Sequence, residues 1–260
     1  MTWSEYIYFA IPALLLWVSA GLLVFKKEQS KWIDVLFLLG ILVFGVFIIG
    51  LWFGQQRPPL RTMGETRLWY SFFLSLIGYI TYKHWNYNWL LLFSAVVAAV
   101  FVCINIFKPE IHSINLMPAL QSYWFIPHVT VYILSYAMLG AATIGSLIQL
   151  KKYNKGSTDE KLDDFMDNIT YIGFGFLMLG LLMGALWAKE AWGHYWSWDP
   201  KETWAFITCA GYLIYIHLRL QNKHPKFTLW MLPISFVLLM ITWIGVNYLP
   251  AAQNSIHVYS

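Results

Sequence analysis

The sequence predicts an all-α polytopic membrane protein of about eight transmembrane helices, with both termini on the extracytoplasmic side. Of its 260 residues, 59% are hydrophobic and only 12% are charged, which is too apolar a composition for a soluble domain. The apolar residues form eight runs of the length that crosses the ~30 Å hydrocarbon core of a bilayer. These runs are 5–25, 32–54, 67–83, 87–107, 125–150, 168–188, 200–220 and 228–249.

The distribution of charge justifies the spans and their connections. The third span is the weakest, because only 68–82 is free of charged residues. The fifth falls within 111–150, which contains no Asp, Glu, Lys or Arg, and we expect 111–124 to lie on the membrane surface. The charge-rich segment 151–164 is typical of a solvated loop, with a short surface helix within it as the alternative. No internal repeat is visible, and the eight helices are predicted to form one domain, 1–260.

The basic residues predict the orientation of the helices. Of the 17 Lys and Arg residues, eleven lie in the loops after the first, third, fifth and seventh spans, and six lie in the opposite loops. The positive-inside rule therefore places the first set of loops in the cytoplasm and both termini outside it. We expect the bacterial inner (cytoplasmic) membrane, with a thylakoid membrane as the alternative. The net charge of +4 reflects these loops and requires no nucleic acid partner.

The most distinctive stretch is WGHYWSWDPKETWAF (192–206), in an external segment at about 187–204 that we call the tryptophan loop. Asp199, Pro200 and Glu202 have the pattern of a helix start, with an N-cap, a proline at the first helical position and an acceptor at N3. The acidic pair therefore has a structural interpretation and, as the alternative, a direct role with a ligand. The four tryptophans of 192–206 exceed what a membrane-interface belt requires, and flat aromatic faces suit a flat apolar ligand such as a porphyrin.

The tryptophan loop also carries a resemblance to a known family. The run ALWAKEAWGHYWSWDPKETWAFIT (185–208), followed by YLIYIHLRL (212–220), closely resembles the WWD signature of the CcsA (ResC) family. These are haem-handling proteins of the System II pathway of cytochrome c-type biogenesis, in a superfamily with CcmC and CcmF. RPPLRTMGETRLWYSF (57–72), Pro127-His128-Val129 and the terminal SIHVYS (255–260) extend the resemblance to about 52–260. It implies haem b as the cofactor, bound at the loop by Trp192, Trp196, Trp198, Asp199, Glu202 and Trp204.

Two external histidines are the expected axial ligands of a haem iron. His128 lies at the external end of the fifth span, and His257 follows the eighth span on the same side. Taken alone, each is an ordinary interfacial residue, but the resemblance implies that both coordinate one iron. His194, inside the tryptophan loop, is not assigned as a ligand.

His217 is the candidate for a second haem site. It lies 17 residues along the seventh span, about 26 Å at 1.5 Å per residue and close to the far side of the hydrocarbon core. An ionisable residue at that depth indicates a functional role. The resemblance implies a transmembrane haem whose other ligand comes from a CcsB (ResB) subunit, which this sequence lacks. His84, near the same side of the membrane, is the alternative ligand within the chain.

Four arginines have two interpretations each. Arg219, two residues after His217, is either a partner of a haem propionate or an ordinary cytoplasmic anchor. Arg57, Arg61 and Arg67 form an external basic cluster, which suits haem propionates or anionic lipid headgroups equally well.

The sequence therefore predicts the haem-handling subunit of a membrane cytochrome c synthase. Together with a CcsB/ResB-type subunit, it would move or hold haem at the extracytoplasmic face for thioether attachment to an apocytochrome c that carries Cys-x-x-Cys-His. No catalytic residue is assigned, because no nucleophile and base are paired in the sequence, and the activity is expected of the complex. The alternative is a CcmC-like transporter that delivers haem to a chaperone without attaching it. A dihaem electron-transfer subunit is disfavoured, since no predicted span carries two histidines.

Overall fold

The computed structural model describes residues 1–26, 30–60, 62–112, 122–223 and 225–250, and every regular element within these residues is helical. Short 3₁₀ helices occupy Trp3–Glu5, Pro109–His112 and Gly245–Tyr248. The predicted all-α fold is confirmed. The eight α-helices are α1 (Tyr6–Leu23), α2 (Lys31–Gln55), α3 (Met63–Trp85), α4 (Asn88–Phe107), α5 (Phe125–Tyr153), α6 (Glu160–Trp192), α7 (Pro200–Leu220) and α8 (Pro225–Trp243).

Six of these helices are long and apolar enough to cross a membrane: α1, α2, α4, α5, α6 and α8. The other two, α3 and α7, have 23 and 21 residues and so match the length of a span, but they contain more polar side chains. The chain is therefore an integral membrane protein with several spans, as predicted. Its orientation, and the crossing of the membrane by α3 and α7, stay predictions.

The helix ends differ from the predicted spans where polar residues continue a helix. We predicted that the sixth span begins at 168, but α6 begins at Glu160, because the Asp159 carboxylate accepts a hydrogen bond from the backbone of the first turn at 3.2 Å. Within the predicted loop over 151–164, α5 therefore takes residues 151–153 and α6 takes residues 160–164. The last span was predicted to reach 249, but α8 ends at Trp243 and a 3₁₀ turn follows. Most of 111–124 lies outside the described residues.

The helices pack as two compact units, Met1–Gln121 with α1 to α4 and Ser122–Ser260 with α5 to α8. In the first unit, α1 packs against α2 and α4, and α3 packs against α4. Its core is aromatic: Trp17 and Phe44 are fully buried, with ring centroids 5.4 Å apart. The single domain over 1–260 stays a prediction.

In the second unit, α5 is the central helix, because it packs along α6 and also against α8. Glycine brings α6 close to α5, since a Cβ at Gly173 would lie 3.1 Å from the Leu139 side chain. Hydroxyl groups join the same helices: Ser135 Oγ donates to the Gly173 carbonyl at 2.7 Å, and Ser146 Oγ donates to the Leu229 carbonyl of α8 at 2.5 Å. These contacts hold α5 against both α6 and α8.

Candidate functional site

His128 lies in the first turn of α5. Its Nδ1 is 2.7 Å from the carbonyl oxygen of Gly180 on α6, and because a carbonyl only accepts, Nδ1 carries the proton of this hydrogen bond. This tautomer places the lone pair of the ring on Nε2, which is the nitrogen that a metal binds. A carbonyl partner on the second nitrogen fixes the orientation of the ring and raises its basicity as a ligand.

Two aromatic rings and a glycine surround the imidazole of His128. Trp187 of α6 stacks on it, with centroids 5.6 Å apart and an interplanar angle of 24°, and Tyr132 meets it edge-on at 4.6 Å. A Cβ at Gly184 would lie 2.7 Å from Cε1 of His128, closer than side-chain atoms pack, so the ring occupies space that the glycine leaves. The histidine therefore has one well-defined orientation.

Trp187 connects His128 with the rest of the tryptophan loop. Its ring contacts that of Trp192, the last residue of α6, at a centroid distance of 4.7 Å. Gly193 then ends the helix with a φ of 88°, a left-handed conformation that favours glycine, and Lys189 Nζ donates to its carbonyl at 2.7 Å. The structure thus brings together two predicted site residues, His128 and Trp192, that are far apart in the sequence.

Trp196 and Trp198 lie further along the loop, with their rings edge-on at 5.7 Å. Trp198 adopts a φ of 60°, which is rare for a bulky residue, and it is 62% exposed. The Trp198 carbonyl accepts a hydrogen bond from Thr203 Oγ1 at 3.2 Å. Trp196 is half-buried, and its Nε1 makes no hydrogen bond within the described part of the chain. The loop therefore exposes the large ring of Trp198 and keeps the indole donor of Trp196 partly buried.

The predicted helix start at Asp199 is confirmed. Asp199 is the N-cap of α7 and Pro200 its first residue, and the Glu202 amide donates to Asp199 Oδ1 at 2.9 Å. Glu202 is 8% exposed and its Oε2 accepts from the amides of Ser197 at 2.7 Å and of Asp199 at 3.3 Å. Both carboxylates shape the loop, and a direct role with a ligand stays a prediction. The same holds for Trp204, which is half-buried near the start of α7.

His217 lies near the other end of α7 and is exposed. Its Nδ1 is 2.8 Å from the carbonyl oxygen of Leu213, one turn earlier, so the lone pair of this ring also lies on Nε2. Leu213 and Ile214 beside it are 40% and 47% exposed, so this face of α7 is open. His84, the alternative ligand, lies in the last turn of α3 in the first unit.

Arg219 is engaged within the second unit. Its Nε donates to Asp167 Oδ1 at 2.7 Å and its Nη2 donates to Asp167 Oδ2 at 2.6 Å, which forms a bidentate ion pair between α7 and α6. The Tyr215 hydroxyl donates to the same carboxylate at 2.7 Å. Of the two interpretations of Arg219, these contacts favour the anchor over the propionate partner.

The remaining predicted residues are only partly described. His257 and Arg61 lie outside the described residues. Arg57 forms a bidentate pair with Glu65, whose side chain is fully buried, at 3.0 and 2.8 Å. Arg67 Nη1 is buried and has no hydrogen-bond partner among the described residues. The arginines of the predicted basic cluster therefore differ in their partners, because Arg57 forms an ion pair within the protein.

Comparison with known proteins decides the family. Residues 6–252 match the family described as cytochrome C assembly protein. The cytochrome c biogenesis protein CcsA of Mesostigma viride is 31% identical over 84% of this chain and 84% of its own. The chain belongs to the CcsA family. The CcsA protein of Amborella trichopoda is 30% identical over 96% of this chain and 94% of its own, so the likeness extends over nearly the whole length. The predicted resemblance is confirmed.

Two further comparisons concern the fold and the organisms in which relatives of this chain occur. A solved structure named Cytochrome c Heme Lyase CcmF aligns with 93% of this chain, with a TM-score of 0.63 and 17% identity. This chain spans 46% of the length of that structure, and the likeness shows a shared fold alone. The CcsA protein of the alga Chlamydomonas reinhardtii is 44% identical over 54% of this chain. The CcsA relatives named here come from algae and a flowering plant, and the bacterial inner membrane stays a prediction.

Three residues of the site were not predicted from the sequence. These residues are Trp187, Gly180 and Gly184. The two glycines are four residues apart, a spacing typical of a face where helices approach closely, and this signal could have found them. Nothing local in the sequence indicates that this face meets His128.

Proposed function

We propose that this chain is the haem-handling subunit of a membrane cytochrome c synthase. In this function it holds haem at the extracytoplasmic face for covalent attachment to an apocytochrome c with a Cys-x-x-Cys-His motif. Membership of the CcsA family supports the pathway. The observation that carries the proposal is the His128 imidazole, whose Nδ1 donates to the Gly180 carbonyl while its ring lies against Trp187.

The residues of the described site fit haem b as cargo. Haem requires imidazole ligands for its iron and apolar, flat surfaces for its ring. The tautomer of His128 suits the first requirement, and the exposed ring of Trp198 suits the second. When bound, haem supplies the iron and the vinyl groups to which the cytochrome thiols add. The protein residues bind and orient: His128 and His257 as the axial ligands, and Trp192, Trp196, Trp198 and Trp204 as the aromatic surfaces.

Asp199 and Glu202 contribute indirectly in this proposal. Their hydrogen bonds connect the loop backbone to the first turn of α7 and so hold the tryptophans in place. An anionic propionate would be repelled by these carboxylates. We therefore assign them to the shape of the loop, and their direct contact with haem is the alternative.

His217 is proposed as a ligand of a second, transmembrane haem. It lies on an open, apolar face of α7, with Nδ1 held by its own helix. An open face leaves room for a second ligand from another chain, and we propose a CcsB/ResB-type membrane subunit as its source, with His84 as the alternative within the chain. The membrane is proposed to be the bacterial inner membrane.

The first test is the reduced visible spectrum of the protein purified with its co-purifying partner. We expect a bis-histidine haem spectrum that weakens in His128→Ala and in His257→Ala. In His217→Ala the haem signal should fall only when the partner subunit is present. His194→Ala is the matched control, because this exposed histidine of the same loop is not assigned as a ligand. Protein from haem-replete cells that carries no haem, and binds none when haem is added, would contradict the proposal.

A second test separates synthesis from delivery. The chain is co-expressed with a CcsB-type subunit in cells that lack other cytochrome c maturation genes, and covalent holocytochrome is measured by haem staining after denaturing electrophoresis. Covalent product supports the synthase. Haem delivered to an acceptor without covalent product would instead support the CcmC-like alternative.

A further inference from the structure

We infer that Asp167 is a positioning residue for His217: by binding Arg219 and Tyr215 it fixes the rotation of α7 about its axis, and with it the direction of the imidazole. This inference rests on the proposed function of His217 as a haem ligand. It assigns a role to a charged cluster that lies away from the tryptophan loop.

The contacts of Asp167 reach α7 at two points one helical turn apart. Tyr215 donates its hydroxyl proton to Oδ1 at 2.7 Å, while Arg219 donates from Nε to Oδ1 and from Nη2 to Oδ2 at 2.7 and 2.6 Å. Tyr215 is fully buried, and the side chains of Arg219 and Asp167 are 20% and 21% exposed. Short, charge-assisted bonds of this kind are strong and geometrically specific.

Helix geometry transmits this restraint to His217. At about 100° per residue, positions four apart differ by about 40°, so Tyr215 and Arg219 share one face of α7. His217 lies two residues from each, about 180° from the middle of that face. The same contacts with Asp167 that hold the inner face against α6 therefore direct His217 to the opposite, open face. Its exposure beside Leu213 and Ile214 agrees with this geometry.

A second restraint acts on the ring itself. The hydrogen bond between Nδ1 and the Leu213 carbonyl, at 2.8 Å, sets the tautomer and turns Nε2 away from the backbone of α7. Asp167 thus controls where the side chain leaves the helix, and the Leu213 carbonyl controls which nitrogen is presented. Both are needed to hold a ligand for an iron that a neighbouring chain shares.

Asp163, one turn before Asp167 on α6, does not have the same role. Its Oδ2 is 3.8 Å from Arg219 Nη1, beyond hydrogen-bonding distance, and its Oδ1 accepts from Gln149 at 2.9 Å instead. Asp163 therefore adds negative charge near Arg219 without fixing the rotation of α7. The bidentate geometry belongs to Asp167.

The test compares Asp167→Asn with Asp164→Asn in the complex with the partner subunit. Both variants remove one carboxylate from α6, but Asp164 is exposed and serves as the matched control. We expect Asp167→Asn to weaken His217-dependent haem binding by about 10- to 100-fold, as loss of support behind a metal ligand does. It should also alter the low-spin EPR signal of that haem and leave the His128-dependent haem unchanged. Tyr215→Phe, which removes one bond without a change of charge, should shift the signal in the same direction by less.

A measurement without haem separates the inference from the proposed function. A nitroxide is attached at His217→Cys after the two native cysteines of the chain, Cys103 and Cys209, are replaced by serine. Its collisions with oxygen in the bilayer are then measured. We expect Asp167→Asn to lower this accessibility, because α7 turns, and Asp164→Asn to leave it unchanged. Unchanged accessibility together with an unchanged EPR signal overturns the positioning role, even if His217→Ala loses haem. If accessibility falls but His217→Ala keeps all its haem, Asp167 still orients position 217 and the proposed ligand function fails instead.

Discussion

Because the His128 imidazole occupies the space beside Gly184, we expect a single methyl group at Gly184 to disturb haem binding. In Gly184→Ala the new Cβ would lie 2.7 Å from Cε1 and 2.8 Å from Nδ1 of the imidazole. Carbon atoms pack at about 3.5–4.0 Å, so the ring must move by about 0.8 Å or more. A shift of that size is enough to lengthen the 2.7 Å bond from Nδ1 to the Gly180 carbonyl beyond the usual limit of about 3.2 Å.

The expected magnitude follows from the two effects. Overpacking of a helix interface costs about 1–3 kcal/mol, and loss of the hydrogen bond behind a metal ligand lowers affinity by about 10- to 100-fold. We therefore expect Gly184→Ala to bind haem at the His128 site about 10- to 100-fold more weakly. The assay is a haem titration followed by the reduced visible spectrum, with His128→Ala as the reference for complete loss.

Gly175→Ala is the control on the same helix. A Cβ at Gly175 meets nothing within 4 Å, so this change should leave haem binding as in wild type. Alanine should even favour the helix, by up to about 1 kcal/mol. Wild-type affinity in Gly184→Ala, or an equal loss in both variants, would refute the reasoning that the missing side chain seats the histidine.

Four further predictions concern individual contacts. Trp187→Leu removes the ring stacked on the external histidine, and we expect a changed haem spectrum at unchanged helical content by circular dichroism. Trp198→Gly suits the left-handed φ of 60° but loses the ring, so haem occupancy should fall while the thermal unfolding temperature does not. Glu202→Ala removes the capping acceptor at a cost of about 1 kcal/mol, which faster proteolysis of the loop would report, whereas Glu202→Gln should be milder. The hydrogen bond from Lys152 lowers the pKa of Asp159. The ion pair therefore stabilises the folded protein by at most about 1 kcal/mol above the unfolded pKa of about 3.9. This contribution is lost as pH falls through the lower folded pKa. Unfolding temperatures of Asp159→Asn and wild type should then converge at acid pH, and a constant difference down to pH 2 would contradict this.

The elements that the sequence predicted well are those determined by neighbouring residues. The capped start of α7 depends on residues three apart, Asp199 and Glu202, and the pattern alone located it. The apolar runs similarly predicted the number of helices, because the length of a span is set by the bilayer. The early start of α6 was missed, since the apolar run begins later than the cap at Asp159.

The contacts that define the candidate site could not be predicted in this way. The bond from His128 to the Gly180 carbonyl joins residues 52 positions apart, and so does the pair of Arg219 with Asp167. Such contacts depend on which faces of two helices meet, and that is decided by packing across the whole unit rather than by a local pattern. The sequence therefore indicated which residues are chemically suited to a site, and the structure showed which of them have fixed partners.

The reciprocal bonds of Glu202 have a consequence for how quickly a ligand is accepted. A loop that is ordered before binding loses little conformational entropy when its ligand arrives, so association needs no folding step. Loading should then be a single exponential whose rate rises linearly with ligand concentration, without the plateau that a slow rearrangement imposes. In Glu202→Ala the loop would sample many conformations, and a concentration-independent phase should appear in stopped-flow traces. Glu202 would thus determine how fast the ligand binds without contacting the ligand itself.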